Sequence, residues 1–167
     1  MAETFSQIEE APEDYPNADD NALWQRIEAY CAYRWTPREV VWIVDGPGHW
    51  KPPLAPAEIS LTEFWQGGTY KPVSIPASPF GGLNFPAYGP YRIKAIVGAD
   101  NDAPAAVIEA FERLQGYLAA SEKISGASRV RRQVGDVVTS YDRSATWIAQ
   151  ALDKSGAADL LRPYRRA

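Results

Sequence analysis

Leu23, Ile27 and Tyr30 recur at helical spacing, with Trp24 and Cys31 beside them. That stripe predicts a first helix, capped by Asp19 or Asp20 and ended by Pro37, because a residue before proline avoids helical angles. Val40-Val41-Trp42-Ile43-Val44 is a short, β-branched apolar run that reads as a buried strand. Asp45-Gly46-Pro47-Gly48 then turns the chain. Residues 49–90 hold most of the fourteen prolines, so short strands such as 60–66 and 70–75 are expected there, joined by long loops. Between Tyr91 and Val97, apolar residues alternate with Arg92 and Lys94, the mark of a half-buried strand.

Asp102 and Pro104 open the clearest helix, along which Val107, Phe111, Leu114 and Leu118 recur on one side. Ser125-Gly126 closes it. Residues 129–141 predict a strand or hairpin around Gly135-Asp136. Ser144 caps a short helix bearing Trp147, Ile148, Ala151 and Leu152, which stops at Gly156. A last helical turn spans 157–161 and ends at Pro163. The fold class is therefore α+β: a few helices packed around a small, mainly antiparallel β unit with long Pro/Gly-rich loops. Its expected organisation is an acidic, flexible arm over 1–18, one domain over 19–156, and a partner-binding tail over 157–167.

Charge refines this picture at both ends. Residues 1–20 carry seven acids and no base, whereas residues 123–167 carry nine bases and four acids. Such asymmetry fits either two solvated ends or two ends that meet different partners. The net charge of −4 gives the whole chain no electrostatic case for holding nucleic acid. Six Trp, nine Tyr and five Phe supply large buried areas and are also the residues that anchor interfaces. The single Cys31 excludes an internal disulfide and agrees with a reducing compartment. No apolar run approaches a membrane span and no signal-peptide core follows Met1, so the protein is expected to be made in the cytoplasm.

Candidate chemistry is sparse. His49 is the lone histidine, and without Cys or carboxylate neighbours it cannot make a metal site of ordinary ligand count. Its enzymatic alternative is a small hydrolase in which His49 works with Asp45 or Asp100. Gly67-Gly68 and Gly81-Gly82 lack the Lys-Ser/Thr of a phosphate loop. Asp100-Asn101-Asp102 precedes a helix and reads as capping rather than as a Ca²⁺ loop. Arg129, Arg131 and Arg132 form a basic patch, open either to nucleic acid or, with Trp147, to a subunit interface. Neither a metal nor a cofactor is expected.

The last forty residues are the most distinctive. Val134-Gly135-Asp136 and Tyr141 are followed by Trp147-Ile148-Ala149, and then by Leu160-Leu161-Arg162-Pro163-Tyr164-Arg165. This resembles the C-terminal part of the phage head–tail connector (adaptor) family of siphophages and gene transfer agents, in which a G-D-x-x-x-x-Y stretch precedes a terminal L-L-x-P-Y-R. The strand near 91–97, the Pro-led helix after Pro104, and the first helix with Arg34-Trp35 resemble the family's middle and opening. The resemblance covers residues 19–167. Segment 49–90 is longer and more aromatic than in a minimal adaptor, and the acidic arm has no counterpart.

The resemblance implies a structural ring, commonly dodecameric, below the capsid portal protein. The ring extends the DNA channel, through which DNA passes without specific binding, and it meets a tail or stopper protein. It implies no enzymatic role, no membrane, and a place in the bacterial cytoplasm during assembly and in the particle neck afterwards. By the same resemblance the portal-binding residues would be Leu160, Leu161, Arg162, Pro163, Tyr164, Arg165 and Arg166. Their chemistry fits: Leu160, Leu161 and Tyr164 offer an apolar-aromatic anchor, the arginines offer charge, and Pro163 fixes the backbone.

Overall fold

A computed structural model describes residues 1–12, 15, 21–98, 102–122, 129–134, 137–142 and 150–165. Its centre is a five-stranded sheet in the order β1 (Glu3–Glu9), β2 (Arg38–Asp45), β7 (Pro90–Val97), β4 (Ala57–Gln66), β5 (Thr69–Pro72). Every neighbouring pair is antiparallel. Val40, Trp42 and Val44 on β2, and Tyr91, Ile93, Ala95 and Val97 on β7, point to one side and are buried. The alternation follows from the two-residue period of a strand. β4 and β5 form a hairpin whose two-residue loop, Gly67-Gly68, takes φ values of 61° and 83°. That turn requires left-handed angles at both positions, which glycine adopts without penalty.

The Pro/Gly-rich stretch folds over the inner face of this sheet. β3 (Gly48–Trp50) pairs with β6 (Leu83–Phe85), a small second sheet absent from the sequence-based expectation. Trp50, Leu54, Leu83 and Phe85 join the buried side chains of β2 and β7 in one cluster. Ring contacts run through it from Trp42 to Trp50 (5.5 Å), Trp50 to Phe85 (6.0 Å), Phe85 to Tyr91 (4.4 Å) and Tyr91 to Phe64 (5.0 Å). Three-residue strands rank below loops in a propensity reading, and here packing of aromatics decides their conformation.

The helices make a second cluster. α1 (Asn21–Tyr30) buries Leu23, Trp24 and Ile27 against α2 (Ala105–Glu122), which contributes Val107, Ala110, Phe111 and Leu114. Trp24 and Phe111 stack at 5.0 Å, a geometry worth about 0.5–1.5 kcal/mol beyond burial. α1 ends at Tyr30, seven residues before Pro37. Arg34 closes that end, donating to the carbonyls of Glu28 (2.8 Å) and Cys31 (3.1 Å). Asp19 and Asp20, expected as caps, lie outside the described residues. The backbone of β8 (Arg129–Val134) and β9 (Val137–Asp142) forms the expected hairpin, with Val134 opposite Val137.

Two organisational expectations are corrected. The acidic arm over 1–18 is not free throughout, because Glu3–Glu9 is β1, an edge strand of the main sheet. Its inward residues are polar and each finds a partner. Thr4 accepts from the Trp50 indole (2.8 Å), Gln7 accepts from the Trp42 indole (2.8 Å), and Glu9 meets Arg34 and Arg38. Acidity therefore masked a strand whose register is set by hydrogen bonds rather than by apolar burial.

The boundary before residue 157 also dissolves. α3 (Ala151–Lys154) and α4 (Ala157–Leu161) are separated by Gly156 at φ 74°, and a 3-10 turn over Arg162–Tyr164 follows. Ala151, Ala157 and Leu161 are fully buried in the helical cluster. Residues 157–165 thus belong to the fold and are not a separable tail.

Candidate functional site

The C-terminal segment that carries the sequence resemblance packs into the helical cluster and against residues 30–35. Leu161 lies inside, so it is not an exposed docking anchor. Leu160 is half-buried against the same cluster. Tyr164 packs edge-on against Trp35 (5.7 Å) and Tyr33 (5.6 Å), and its carbonyl accepts from the Ala32 amide at 3.0 Å. Arg165 lies over the Tyr30 ring at 4.5 Å and donates to its hydroxyl at 3.1 Å. What faces solvent is Arg162, Pro163 and Arg165. Arg162 pairs with Asp159 at 2.9 Å on an exposed surface, where such a pair contributes little to stability. Arg166 lies outside the described residues. The segment therefore presents cations on a backbone held from below by Leu161 and Tyr164.

Beneath it, residues 31–38 stitch the helices to the sheet. Ala55 donates to Ala32 (2.9 Å) and Arg34 donates to Ala55 (2.9 Å) through their backbones. A buried ionic network, which sequence reading did not find, binds the same joint. Arg34 grips Glu9 with two nitrogens, at 2.5 and 3.0 Å. Arg38 reaches Glu9 at 3.2 Å and donates to Glu28 Oε1 at 2.9 Å. Glu28 Oε2 also lies 2.8 Å from Arg38, but outside hydrogen-bond alignment. Burial pushes the Glu28 carboxyl above the ordinary carboxylate range, opposed by the attraction of Arg38 and Arg34. One carboxylate from the N-terminal strand, one from α1, Arg34 from the connection and Arg38 from the start of β2 thus share a site. Removing Arg38 would strip the buried Glu28 carboxylate of its ion-pair partner. The only sequence signal was the clustering of Arg34 and Arg38 about Pro37.

The other candidate residues fall elsewhere. His49 sits on β3, and its Nε2 lies 2.8 Å from the Gly81 carbonyl, with Phe80 edge-on at 6.3 Å. Asp45 accepts from the Gly89 amide at 3.1 Å instead of meeting His49. Each half of the imagined His49–Asp45 pair is thus engaged with backbone, and Asp100 lies outside the described residues. Cys31 is buried in the helical cluster, and burial pushes its thiol up to about 11. A thiol so raised stays protonated and is a poor nucleophile. Arg129, Arg131 and Arg132 lie on β8, of which the backbone is described; Trp147 lies outside the described residues. Among the described residues there is no cluster of metal-ligating side chains, and no helix is long and apolar enough to cross a membrane.

The sheet also has two unlike edges. On β1, Phe5 is 72% exposed and Ile8 65% exposed, on a strand whose inward groups are polar. At the far end, Trp65 (43% exposed) packs edge-on with Tyr70 at 4.9 Å, and Arg92 lies over the Tyr70 ring at 4.3 Å. Compared with protein-family models, curated proteins and solved structures, the chain matches none.

Proposed function

We propose that the chain is a structural connector subunit, which assembles as a ring below a capsid portal, extends the DNA channel and joins the head to a tail or stopper protein. The observation that carries this reading is the terminal segment. Its Leu160-Leu161-Arg162-Pro163-Tyr164-Arg165 is the stretch that most resembles the head–tail connector family. The division of labour inside it supports the same reading. Leu161 and Tyr164 fix the backbone from within, while Arg162 and Arg165 stand outward on it. A cationic surface that is already ordered loses little conformational entropy on meeting an acidic partner. The portal-facing residues are therefore Arg162, Pro163 and Arg165, with Arg166 beyond them. Leu160, Leu161 and Tyr164 support those residues from behind.

The test is binding of the full-length protein to its cognate portal, with the double charge reversal Arg162→Glu/Arg165→Glu beside the wild type. The expected result is loss of portal binding in the variant, with circular dichroism and melting temperature close to wild type. Binding that survives the reversal, or a wild-type chain that ignores the portal, contradicts the reading.

A further inference from the structure

A normal edge strand turns its apolar residues inward and its polar ones to solvent. β1 does the reverse. Thr4, Gln7 and Glu9 face the protein and spend their hydrogen bonds there, while Phe5 and Ile8 face out. The register places Ile8 opposite Val41 and Ser6 opposite Ile43, so the half-buried side chains of Val41 and Ile43 extend the apolar surface onto the outer side of β2. Glu3, Glu10 and Glu39 are exposed around it, the last two joined through their backbones at 3.0 Å. An apolar strip with an acidic border is a surface built to be covered.

The opposite edge offers the complement. β5 and the end of β4 carry exposed Trp65, half-buried Tyr70 and exposed Lys71, and from Phe64 to Gly98 there is no acidic residue. β1 and β5 sit at opposite ends of a sheet whose four pairings are all antiparallel, so they run in the same direction. The Val73 amide donates to the Thr62 carbonyl at 2.9 Å. By alternation, Tyr70 and Pro72 turn their backbone groups away from β4. Pro72 has no N–H, so a continuous ladder cannot grow outward from this edge. Contact there must be made by side chains.

We infer that the β1 edge of one copy docks against the β4–β5 edge of a second copy, with Phe5 and Ile8 meeting Trp65 and Tyr70, and the glutamates bordering β1 facing Lys71. The occupant is the chain itself because the two edges match in apolar character and oppose in charge. Two different patches at opposite ends of one sheet make a heterologous contact, which propagates head to tail and closes when the rotation allows. The inference rests on the ring-forming reading above for its biological setting, and it names the surface by which copies would join.

Sedimentation velocity on the full-length chain at rising concentration tests it. Wild type should form species larger than a monomer. Phe5→Asp/Ile8→Asp should weaken association about tenfold or more, the effect of losing well-packed anchors. Trp65→Asp, and separately the milder Lys71→Glu, should weaken it from the other side. A mixture of Phe5→Asp/Ile8→Asp with Trp65→Asp should stop at dimers, because each variant retains the edge that the other lacks. Circular dichroism verifies folding, and Lys71→Glu alters only an exposed side chain. Variants that associate like wild type overturn the inference, as does a mixture that stays monomeric or grows past dimers. A chain that binds the portal yet stays monomeric at every concentration, with or without the portal, sinks this inference and leaves the portal contact standing. Association through these edges without portal binding does the opposite.

Discussion

The two hydrophobic clusters are built in contrasting ways. The sheet cluster is drawn from residues 40–97, apart from Ala2, and its strands are tied by continuous antiparallel ladders. The helical cluster draws on three distant stretches: Leu23 to Trp35, Val107 to Leu114, and Ala151 to Leu161. Ladders fix the first even where a side chain is lost. The second holds together only while its last stretch stays docked, since short helices such as α3 and α4 have little stability of their own. The terminal segment therefore has two duties: its inner side completes a core and its outer side meets solvent.

The largest way to break this contrast is Leu161→Ala. Leu161 is fully buried, so truncation should cost about 2–5 kcal/mol, read as a lowered midpoint in denaturant. Hydrogen exchange should show protection falling first in α1, α2 and α4, while β2 and β7 remain slow. Equal loss across both clusters would show that they unfold as one unit. Next comes the joint between them. Glu9→Ala strips Arg34 of its two-nitrogen contact and takes one partner from Arg38. The expected loss is about 1–3 kcal/mol, with the Tyr164 region more exposed to protease. A variant as stable as wild type would make the network dispensable.

The sheet has its own ion pair, Glu63 with Arg92. The hydrogen bond from Arg92 holds the Glu63 carboxyl below its ordinary range. A carboxyl lowered on folding stabilises fully above the unfolded value and loses that contribution as pH falls through the folded value. Glu63→Gln should accordingly lower the melting temperature at neutral and alkaline pH, converge on wild type at low pH, and so flatten the acid limb of melting temperature against pH. A steeper acid limb would reverse the sign. The smallest effect belongs to Cys31, whose buried thiol should resist alkylation in the native state and react only on unfolding. Rapid labelling of the folded protein would place it on a mobile surface.

Much of this architecture was legible in the sequence. The helical stripes of α1 and α2, the strands β2 and β7 and the hairpin over 129–141 follow from periodicity, because each buries one face of a regular element. What escaped was specified by contacts distant along the chain. β3 and β6 are held by Trp50 and Phe85 packing into the sheet, which no local signal announces. β1 escaped because its inward side is polar. The run from Thr4 to Ile8, free of acids between Glu3 and Glu9, was the one hint. At the candidate site, the segment carrying the family resemblance was legible as a motif. Its split into buried Leu161 and outward Arg162 and Arg165 was not, since adjacent residues on a helical turn face opposite ways according to what packs behind them.

Electron microscopy of the full-length chain mixed with its cognate portal tests the central claim most directly. A closed ring of copies seated on the portal, with Arg162 and Arg165 of each copy at the contact, is the predicted result. Particles showing a bare portal beside free monomers, at concentrations saturating for both, would contradict it.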